Sequence, residues 1–230
     1  MNKEQLDSLQ KELKISIDKI IREEAEILFL TELADNNLGN KVAFYGGTAL
    51  RLVYDSPRFS EDIDLIALEN IEFTEFQNLM QQISKKHNWM LSDIKNKRKT
   101  IFALFKIKNE NLKHTFSLKI EIHKPKNKIN LETELRLIKS PTTIFAPLLL
   151  VPNLEELKTM KETAINDRQK ARDIFDLWYI SQLLKINFKL PKKTPLFKKR
   201  EFENELKVFL PPKYQPIISQ LYEHLVRKNK

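Results

Sequence analysis

The feature that most constrains the fold is a pair of adjacent glycines, Gly46 and Gly47, in a chain of 230 residues that contains only three glycines. The pair lies between a short apolar segment, residues 41–45, and a stretch with helical spacing, residues 48–54. Glycine allows close backbone approach, and the N–H groups that begin a helix favour phosphate. The pair therefore predicts a strand-to-helix turn that can cradle a phosphate, although an ordinary turn would give the same pattern.

Apolar periodicity divides the rest of the chain into a mixed front part and a helical back part, an α+β organisation. Strands are predicted at residues 63–67, 100–108 and 115–122, and in the apolar run 144–151. Helices are predicted at residues 3–36, 73–87, 154–166, 170–184, 201–210 and 214–226, with a proline-bearing linker at 187–200. In the first helix, charged residues are expected to face solvent. We therefore predict one domain over residues 1–150 and a helical bundle domain over residues 151–230.

The composition excludes several classes of site. The chain has no cysteine, which rules out a thiol nucleophile, a cysteine-ligated metal and any disulfide, and is compatible with a cytoplasmic location. The four histidines lack zinc-ligand spacing. No apolar run approaches the roughly 18 residues of a membrane span, so no membrane partner is expected. The net charge of +9 favours polyanionic partners, although a lysine-rich genome would give the same composition.

Two aspartates, Asp62 and Asp64, alternate at the start of a predicted strand, so both point from one face. Carboxylate oxygens suit a hard divalent cation such as Mg²⁺. In the strand at residues 115–122, Glu121 and Lys119 share the polar face. If that strand pairs with the one bearing the aspartates, three acids converge at a sheet edge, but an ion pair on an edge strand is the alternative interpretation.

A charged block follows in the helical part, where Lys161, Ile165, Arg168, Arg172 and Asp176 follow one another at intervals of three or four residues. Such spacing predicts one helical face with three cations and an acid, which could hold a triphosphate. Asp173 or Asp176 would orient the cations by ion pairing. A solvent-exposed ladder of ion pairs would produce the same spacing.

The glycine and aspartate motifs together resemble the polymerase-beta-like nucleotidyltransferase superfamily. More narrowly, two strings are similar to the AbiEii/AbiGii toxin family, the toxin half of bacterial abortive-infection toxin–antitoxin pairs: Phe44-Tyr45-Gly46-Gly47-Thr48-Ala49-Leu50 and Arg58-Phe59-Ser60-Glu61-Asp62-Ile63-Asp64-Leu65. The block Ala171-Arg172-Asp173-Ile174-Phe175-Asp176-Leu177, preceded by Lys161 and Arg168, matches the family's later motifs. The resemblance covers roughly residues 40–180.

The resemblance implies a mixed sheet with flanking helices, and a C-terminal helical bundle that completes the active-site cleft. It implies transfer of a nucleoside monophosphate from an NTP to an acceptor hydroxyl, with RNA, in particular the 3′ end of tRNA, as acceptor and a cognate antitoxin as partner. Mg²⁺, or Mn²⁺, would be the cofactor. The implied catalytic residues are Asp62, Asp64, Glu121 and Lys161, the first three also binding metal. The implied nucleotide-binding residues are Gly46, Gly47, Thr48, Arg168, Arg172, Asp173 and Asp176.

Some features leave alternatives open. The family's third acid is more often aspartate, so Glu121, which is longer by one methylene, is a departure that could still reach the metal or could weaken metal binding. A transferase that modifies a small molecule would keep the same fold, and a catalytically inactive RNA-binding protein would keep the basic surface. Two basic clusters, residues 95–99 and 192–200, are candidate phosphate contacts. Trp178 and Tyr179 could stack on bases but are expected to belong to the core.

Overall fold

The computed structural model describes residues 1–126 and 130–228, and the chain divides into two compact units. The first unit contains Met1–Tyr54 and Glu61–Pro152. The second contains Asp55–Ser60 and the chain from Asn153 onward. The placement of Asp55–Ser60 with the helices was not predicted from chain order.

A five-stranded mixed sheet forms the centre of the first unit. Its strands are β1 (Val42–Tyr45), β2 (Asp62–Ala67), β3 (Met90–Asn96), β4 (Thr100–Ile107) and β5 (Phe116–His123), in the order β1-β2-β5-β4-β3. Strand β2 is parallel to β5, and the other neighbours are antiparallel. The predicted alternation in β4 and β5 is confirmed, because Ile101, Ala103, Leu118 and Ile120 are buried.

Helices flank this sheet: α1 (Lys3–Leu13), α2 (Ile17–Ala34), α3 (Gly46–Tyr54) and α4 (Phe73–His87), with a 3₁₀ helix at Asn37–Lys41. The prediction of a single helix over residues 3–36 is wrong. Lys14 adopts a left-handed conformation with φ of 54°, which ends α1, and α2 begins only after Ser16. A left-handed residue cannot continue an α-helix, so the apolar periodicity runs through two helices.

A second, two-stranded sheet pairs β6 (Thr133–Leu137) with β7 (Leu148–Pro152) in antiparallel fashion. The predicted buried strand at residues 144–151 is only partly correct, because Ile144 is 95% exposed and the strand begins at Leu148. Strands β3 and β6 were not predicted. Both are largely exposed and rich in polar residues, so they lack the apolar alternation by which a strand is recognised.

The second unit packs four helices around its own apolar core: α5 (Leu154–Asp167), α6 (Ala171–Leu183), α7 (Lys199–Phe209) and α8 (Pro216–Lys228). Phe175 and Phe202 are fully buried in that core, and Trp178 and Tyr179 pack against it as expected. The segment Asp55–Ser60 joins this unit through a hydrogen bond from the Phe59 N–H to the Phe209 carbonyl, 2.9 Å long.

The mixed sheet with flanking helices and the C-terminal helices predicted from the sequence are thus confirmed. In the parts of the chain that the structure describes, none of the helices combines the length and apolar character needed to cross a membrane.

Candidate active site

The turn between β1 and α3 lies directly against one of the predicted acids. Tyr45, the last residue of β1, is the register partner of Asp64 on β2, and Gly46 follows with φ of +88°. A Cβ added at Gly46 would lie 2.6 Å from Oδ2 of Asp64. The position therefore requires glycine for two reasons: its backbone is left-handed, and the Asp64 carboxylate occupies the space that a Cβ would need.

Thr48, in the first turn of α3, is buried and bonds the backbone of the same strand. Its hydroxyl donates a hydrogen bond to the carbonyl of Asp62. This bond fixes the start of β2 relative to α3. The role of Thr48 in nucleotide binding stays a prediction, and its structural role is to hold the strand that carries the acids.

The pairing of β2 with β5 brings the three predicted acids together. In this parallel register Asp62 is opposite Lys119, and Asp64 is opposite Glu121. Residues at i and i+2 share a strand face, and so do register partners on neighbouring strands, so these side chains form one polar group. The predicted pairing of these two strands is confirmed, but both are interior strands, so the acids do not lie at a sheet edge.

Lys119 occupies the middle of this polar group. Its Nζ lies 2.9 Å from Oδ2 of Asp62 and 3.0 Å from Oε2 of Glu121, and each of the three side chains is about one third exposed. Partial burial lowers the pKa of Lys119, but the hydrogen bonds and charges of Asp62 and Glu121 outweigh it and raise the pKa above its ordinary value. The ammonium is therefore charged at neutral pH and cross-links the two strands.

The donor set fits a hard divalent cation by its chemistry, since the paired strands β2 and β5 carry three carboxylates on one face of the sheet. The present arrangement is not a ready metal centre. Across residues 1–126 and 130–228, no group of three or more His, Cys, Asp or Glu side chains is arranged to hold a metal ion. Two of the candidate ligands are instead joined to Lys119. The assignment of Mg²⁺ to Asp62, Asp64 and Glu121 remains a prediction.

Helix α2 places two buried acids near this group that the sequence analysis missed. Glu23 is 2% exposed and accepts from Arg51 at 2.5 Å and from the hydroxyl of Ser140. Glu26 is 3% exposed, and its Oε1 has no hydrogen-bond partner in the described residues. Burial first, and then the charge of Glu23, raise the pKa of Glu26 well above its ordinary value.

The expectation that the charged residues of this helix face solvent is therefore wrong for these two. For Glu26 the available signal was its position between Ala25 and Ile27, which are both apolar and buried. Glu23 lies between Arg22 and Glu24 and carries no such signal. A helix that is buried on much of its circumference leaves its acids inside.

In the second unit, an ion network of alternating charge is built around two fully buried aspartates. Arg58 donates from Nε and Nη2 to the two carboxylate oxygens of Asp176, at 2.6 and 2.8 Å. Lys161 contacts Asp176 at 2.6 Å and Asp173 at 3.1 Å. Arg168 holds Asp173 through two hydrogen bonds of 2.9 and 3.0 Å. Cations and acids therefore alternate along the network, in the order Arg58, Asp176, Lys161, Asp173, Arg168.

Both aspartates are ionised at neutral pH. Burial by itself raises the pKa of Asp176, but Arg58 and Lys161 outweigh it and lower the pKa to about 2. The pKa of Asp173 is likewise raised by burial and lowered overall by Lys161 and Arg168. Arg58 is itself 1% exposed, so the network carries charge deep inside the unit and satisfies it there.

The prediction that these residues share one helical face is wrong. Helix α5 ends at Asp167, Arg168 is extended with φ of −144°, and α6 begins at Ala171. The cations and acids therefore come from two helices and the turn between them. The guanidinium of Arg172 lies 5.9 Å from the ring centre of Phe209, the same distance as that of Arg58.

The two basic clusters remain candidate phosphate contacts. Lys97 follows β3, and its ammonium lies 4.7 Å from the ring centre of Phe102. Lys95 pairs with Asp93 at 2.6 Å, and Lys198 pairs with Glu201 at 3.6 Å. Part of the basic charge is therefore already compensated on the surface.

Comparisons with known proteins identify the family and agree with the fold. Residues 28–228 match a family model described as "Nucleotidyl transferase AbiEii toxin, Type IV TA system". The crystal structure of JHP933 from Helicobacter pylori is similar, with a TM-score of 0.58 and 19% identity over 94% of this chain and 96% of that one. A candidate nucleotidyltransferase from the same organism has a TM-score of 0.56 and 22% identity over 90% and 82%. No curated protein matches at a significant level.

Proposed function

Because the chain belongs to the AbiEii nucleotidyl transferase toxin family, and is therefore a nucleotidyltransferase, we propose that it moves a nucleoside monophosphate from an NTP to a hydroxyl of RNA. The proposed acceptor is the 3′ end of tRNA, and the proposed role is that of the toxin in an abortive-infection pair. The observation that carries the proposal is the parallel pairing of β2 with β5, which sets Asp62, Asp64 and Glu121 on one polar face.

Asp62, Asp64 and Glu121 would hold Mg²⁺, for which Mn²⁺ could substitute. The metal would neutralise charge on the reacting phosphates. The protein's own work is to hold the three carboxylates in register. Gly46 contributes by leaving room for Asp64, and Thr48 contributes by fixing the backbone of Asp62.

In the transfer step, the acceptor hydroxyl oxygen forms a bond to the α-phosphorus while the bond from that phosphorus to the bridging oxygen breaks. Pyrophosphate leaves with the electrons of the broken bond. The hydroxyl proton passes to a carboxylate, for which we propose Glu121. Glutamate is one methylene longer than the aspartate more common in the family, and it therefore reaches further from its strand.

Phosphate recognition is proposed at two sets of residues. Gly46 and Gly47 open helix α3, whose first N–H groups favour phosphate. Lys161, Arg168 and Arg172 are proposed as phosphate contacts of the second unit. Arg168 is the best suited of the three, because Asp173 orients its guanidinium while half of the side chain stays exposed. Asp173 and Asp176 act by positioning the cations.

The choice of RNA as acceptor is supported by the net charge of +9, since a basic protein attracts polyanions. The toxin role, and a cognate antitoxin as partner, are supported by the family description. We propose the cytoplasm as the compartment, where NTPs and tRNA are both present.

The test is to incubate the purified protein with Mg²⁺, each labelled NTP in turn, and total tRNA. We expect label to enter RNA, and Asp64→Asn to lower the rate by at least about a hundredfold, because it removes one charge from the reacting centre. The matched control is Asp93→Asn on β3, a partly exposed aspartate paired with Lys95, which should leave the rate unchanged.

Absence of label transfer to RNA with every NTP would contradict the proposed acceptor. Transfer to a small molecule instead would favour the small-molecule transferase. RNA binding without transfer of any kind would favour the inactive RNA-binding protein. If transfer persists in Asp64→Asn, the assignment of the site is wrong.

A further inference from the structure

Lys119 is in direct contact with two of the three candidate metal ligands, and no role in the transfer has been assigned to it. Its Nζ touches one oxygen of Asp62 and one of Glu121, on two different strands. The parallel register dictates this, because Lys119 is directly opposite Asp62 and two residues before Glu121. One ammonium therefore serves two of the three carboxylates that a metal would need.

From this geometry we infer that Lys119 occupies the place of the divalent cation when no metal is bound, and that a metal must displace its ammonium from at least one carboxylate. This inference rests on the proposed function, because it takes Asp62, Asp64 and Glu121 to be the metal ligands. It assigns to Lys119 the control of metal affinity.

The physical reason is competition for the same oxygens. A metal such as Mg²⁺ needs carboxylate oxygens at about 2.0–2.1 Å. Oδ2 of Asp62 and Oε2 of Glu121 each contact the ammonium at 3.0 Å or less. A metal on those oxygens would lie within a few ångströms of the positively charged ammonium and would be repelled by it. Both cations cannot keep these contacts.

The Lys119 side chain is suited to displacement by a metal. Its side chain is 32% exposed, and a lysine stem is flexible and strongly hydrated at its tip. When it is present, it relieves the repulsion among three neighbouring acids. The carboxylates can therefore remain ionised and in register without metal.

The test is a titration of Mn²⁺, followed by electron paramagnetic resonance, into the full chain without nucleotide. We expect Lys119→Met, which keeps the length of the stem, to bind Mn²⁺ at least about tenfold more tightly than the unmodified protein. Lys119→Arg keeps a cation between the strands and should not gain affinity. The matched control is Lys106→Met on β4, an exposed lysine in the same sheet, which removes the same charge and should change affinity less than about threefold.

A second readout is thermal stability without metal. Lys119→Met should unfold at a lower temperature than the unmodified protein, because the three acids then repel each other, and millimolar Mn²⁺ should restore the loss. Circular dichroism before heating checks that the variant is folded. Should it be unfolded, Lys119→Gln, which keeps a hydrogen-bond donor, is used in the same titration.

Equal Mn²⁺ affinity in Lys119→Met and the unmodified protein, or an equal gain in Lys106→Met, would overturn the inference. The inference and the proposed function fail separately. A tenfold gain without any nucleotide transfer supports the role of Lys119 and contradicts the transferase proposal. Nucleotide transfer without a gain in Mn²⁺ affinity supports the transferase proposal and contradicts the role of Lys119.

Discussion

At Gly46, backbone and side-chain constraints coincide. The residue has a left-handed φ of +88°, and the space beside it is filled by the carboxylate of Asp64. The adjacent glycines were recognisable in the sequence because the chain has so few. The sequence did not reveal that Asp64 is the neighbour of Gly46, since this contact depends on the pairing of β1 with β2, which places Asp64 beside Tyr45.

We predict that Gly46→Ala lowers the free energy of unfolding by about 1–2 kcal/mol, the cost of a left-handed conformation for a residue with a Cβ. It should lower the transfer rate more severely, by at least about tenfold, because Asp64 must rotate away from the new methyl group. Chemical denaturation and the labelled-NTP assay measure the two effects.

The control is Ala49→Gly in the same helix, which costs about 1 kcal/mol of stability through helix propensity without approaching Asp64. If both variants lose the same fraction of activity, the loss follows stability and the contact with Asp64 is unimportant.

At the scale of elements, the ion pair between Arg58 and Asp176 joins the segment Asp55–Ser60 to helix α6. Both side chains are almost fully buried, at 2% and 0% exposure. Removing one member of such a pair leaves the charge of the other incompletely compensated in the interior. Breaking this pair is therefore expected to lower the free energy of unfolding more than breaking a surface pair.

We predict that Arg58→Ala lowers the free energy of unfolding by about 3–5 kcal/mol, because it leaves Asp176 with Lys161 alone. Arg136→Ala, which breaks an exposed pair with Glu134, should cost less than about 1 kcal/mol. Urea denaturation at pH 7 compares the two. A smaller loss in Arg58→Ala than in Arg136→Ala would contradict the assignment.

The same pair makes the protein sensitive to acid. The pKa of Asp176 is lowered from 3.8 to about 2 in the folded state, so the unfolded state binds this proton first as the pH falls. The stability from Asp176 is complete above the unfolded pKa and is lost as the pH decreases from about 4 through 2. Asp176→Asn should flatten the dependence of stability on pH in that window, as measured by denaturation at fixed pH values.

Local patterns identified most of the elements, and tertiary contacts decided what the sequence could not reveal. The alternation in β5 placed Glu121 and Lys119 on one face, but only the register with β2 joined Lys119 to Asp62. The spacing from Lys161 to Asp176 suggested one helical face, but the extended backbone at Arg168 breaks it. Glu26 looked like a surface acid because its burial depends on packing rather than on local sequence.

At the scale of the whole molecule, the net charge of +9 is the property that sequence alone determined. The net charge does not show how many cations are unpaired, because several surface lysines form ion pairs with acids, as Lys41 does with Glu75. Cations that could bind phosphate are therefore fewer than the composition indicates.

We predict that replacing Lys97, Arg98 and Lys99 by glutamine reduces the slope of log Kd against log salt for RNA binding by about 2–3, if each residue neutralises one phosphate. The control replaces Lys3, Lys11 and Lys14, at the N-terminal helix α1, by glutamine and removes the same charge. Filter binding at several salt concentrations measures the slope. An equal reduction in both variants would assign the effect to net charge rather than to this cluster.

Arg58 and Asp176 also set an order of events during synthesis. They are 118 residues apart in the chain, and at about 5–20 residues per second a ribosome needs roughly 6–24 s to pass from one to the other. During that interval the arginine has been made and its carboxylate has not. The segment Asp55–Ser60 therefore cannot form its ion pair until α6 has been synthesised. A nascent chain that stops before α6 would contain this segment without its partner helix.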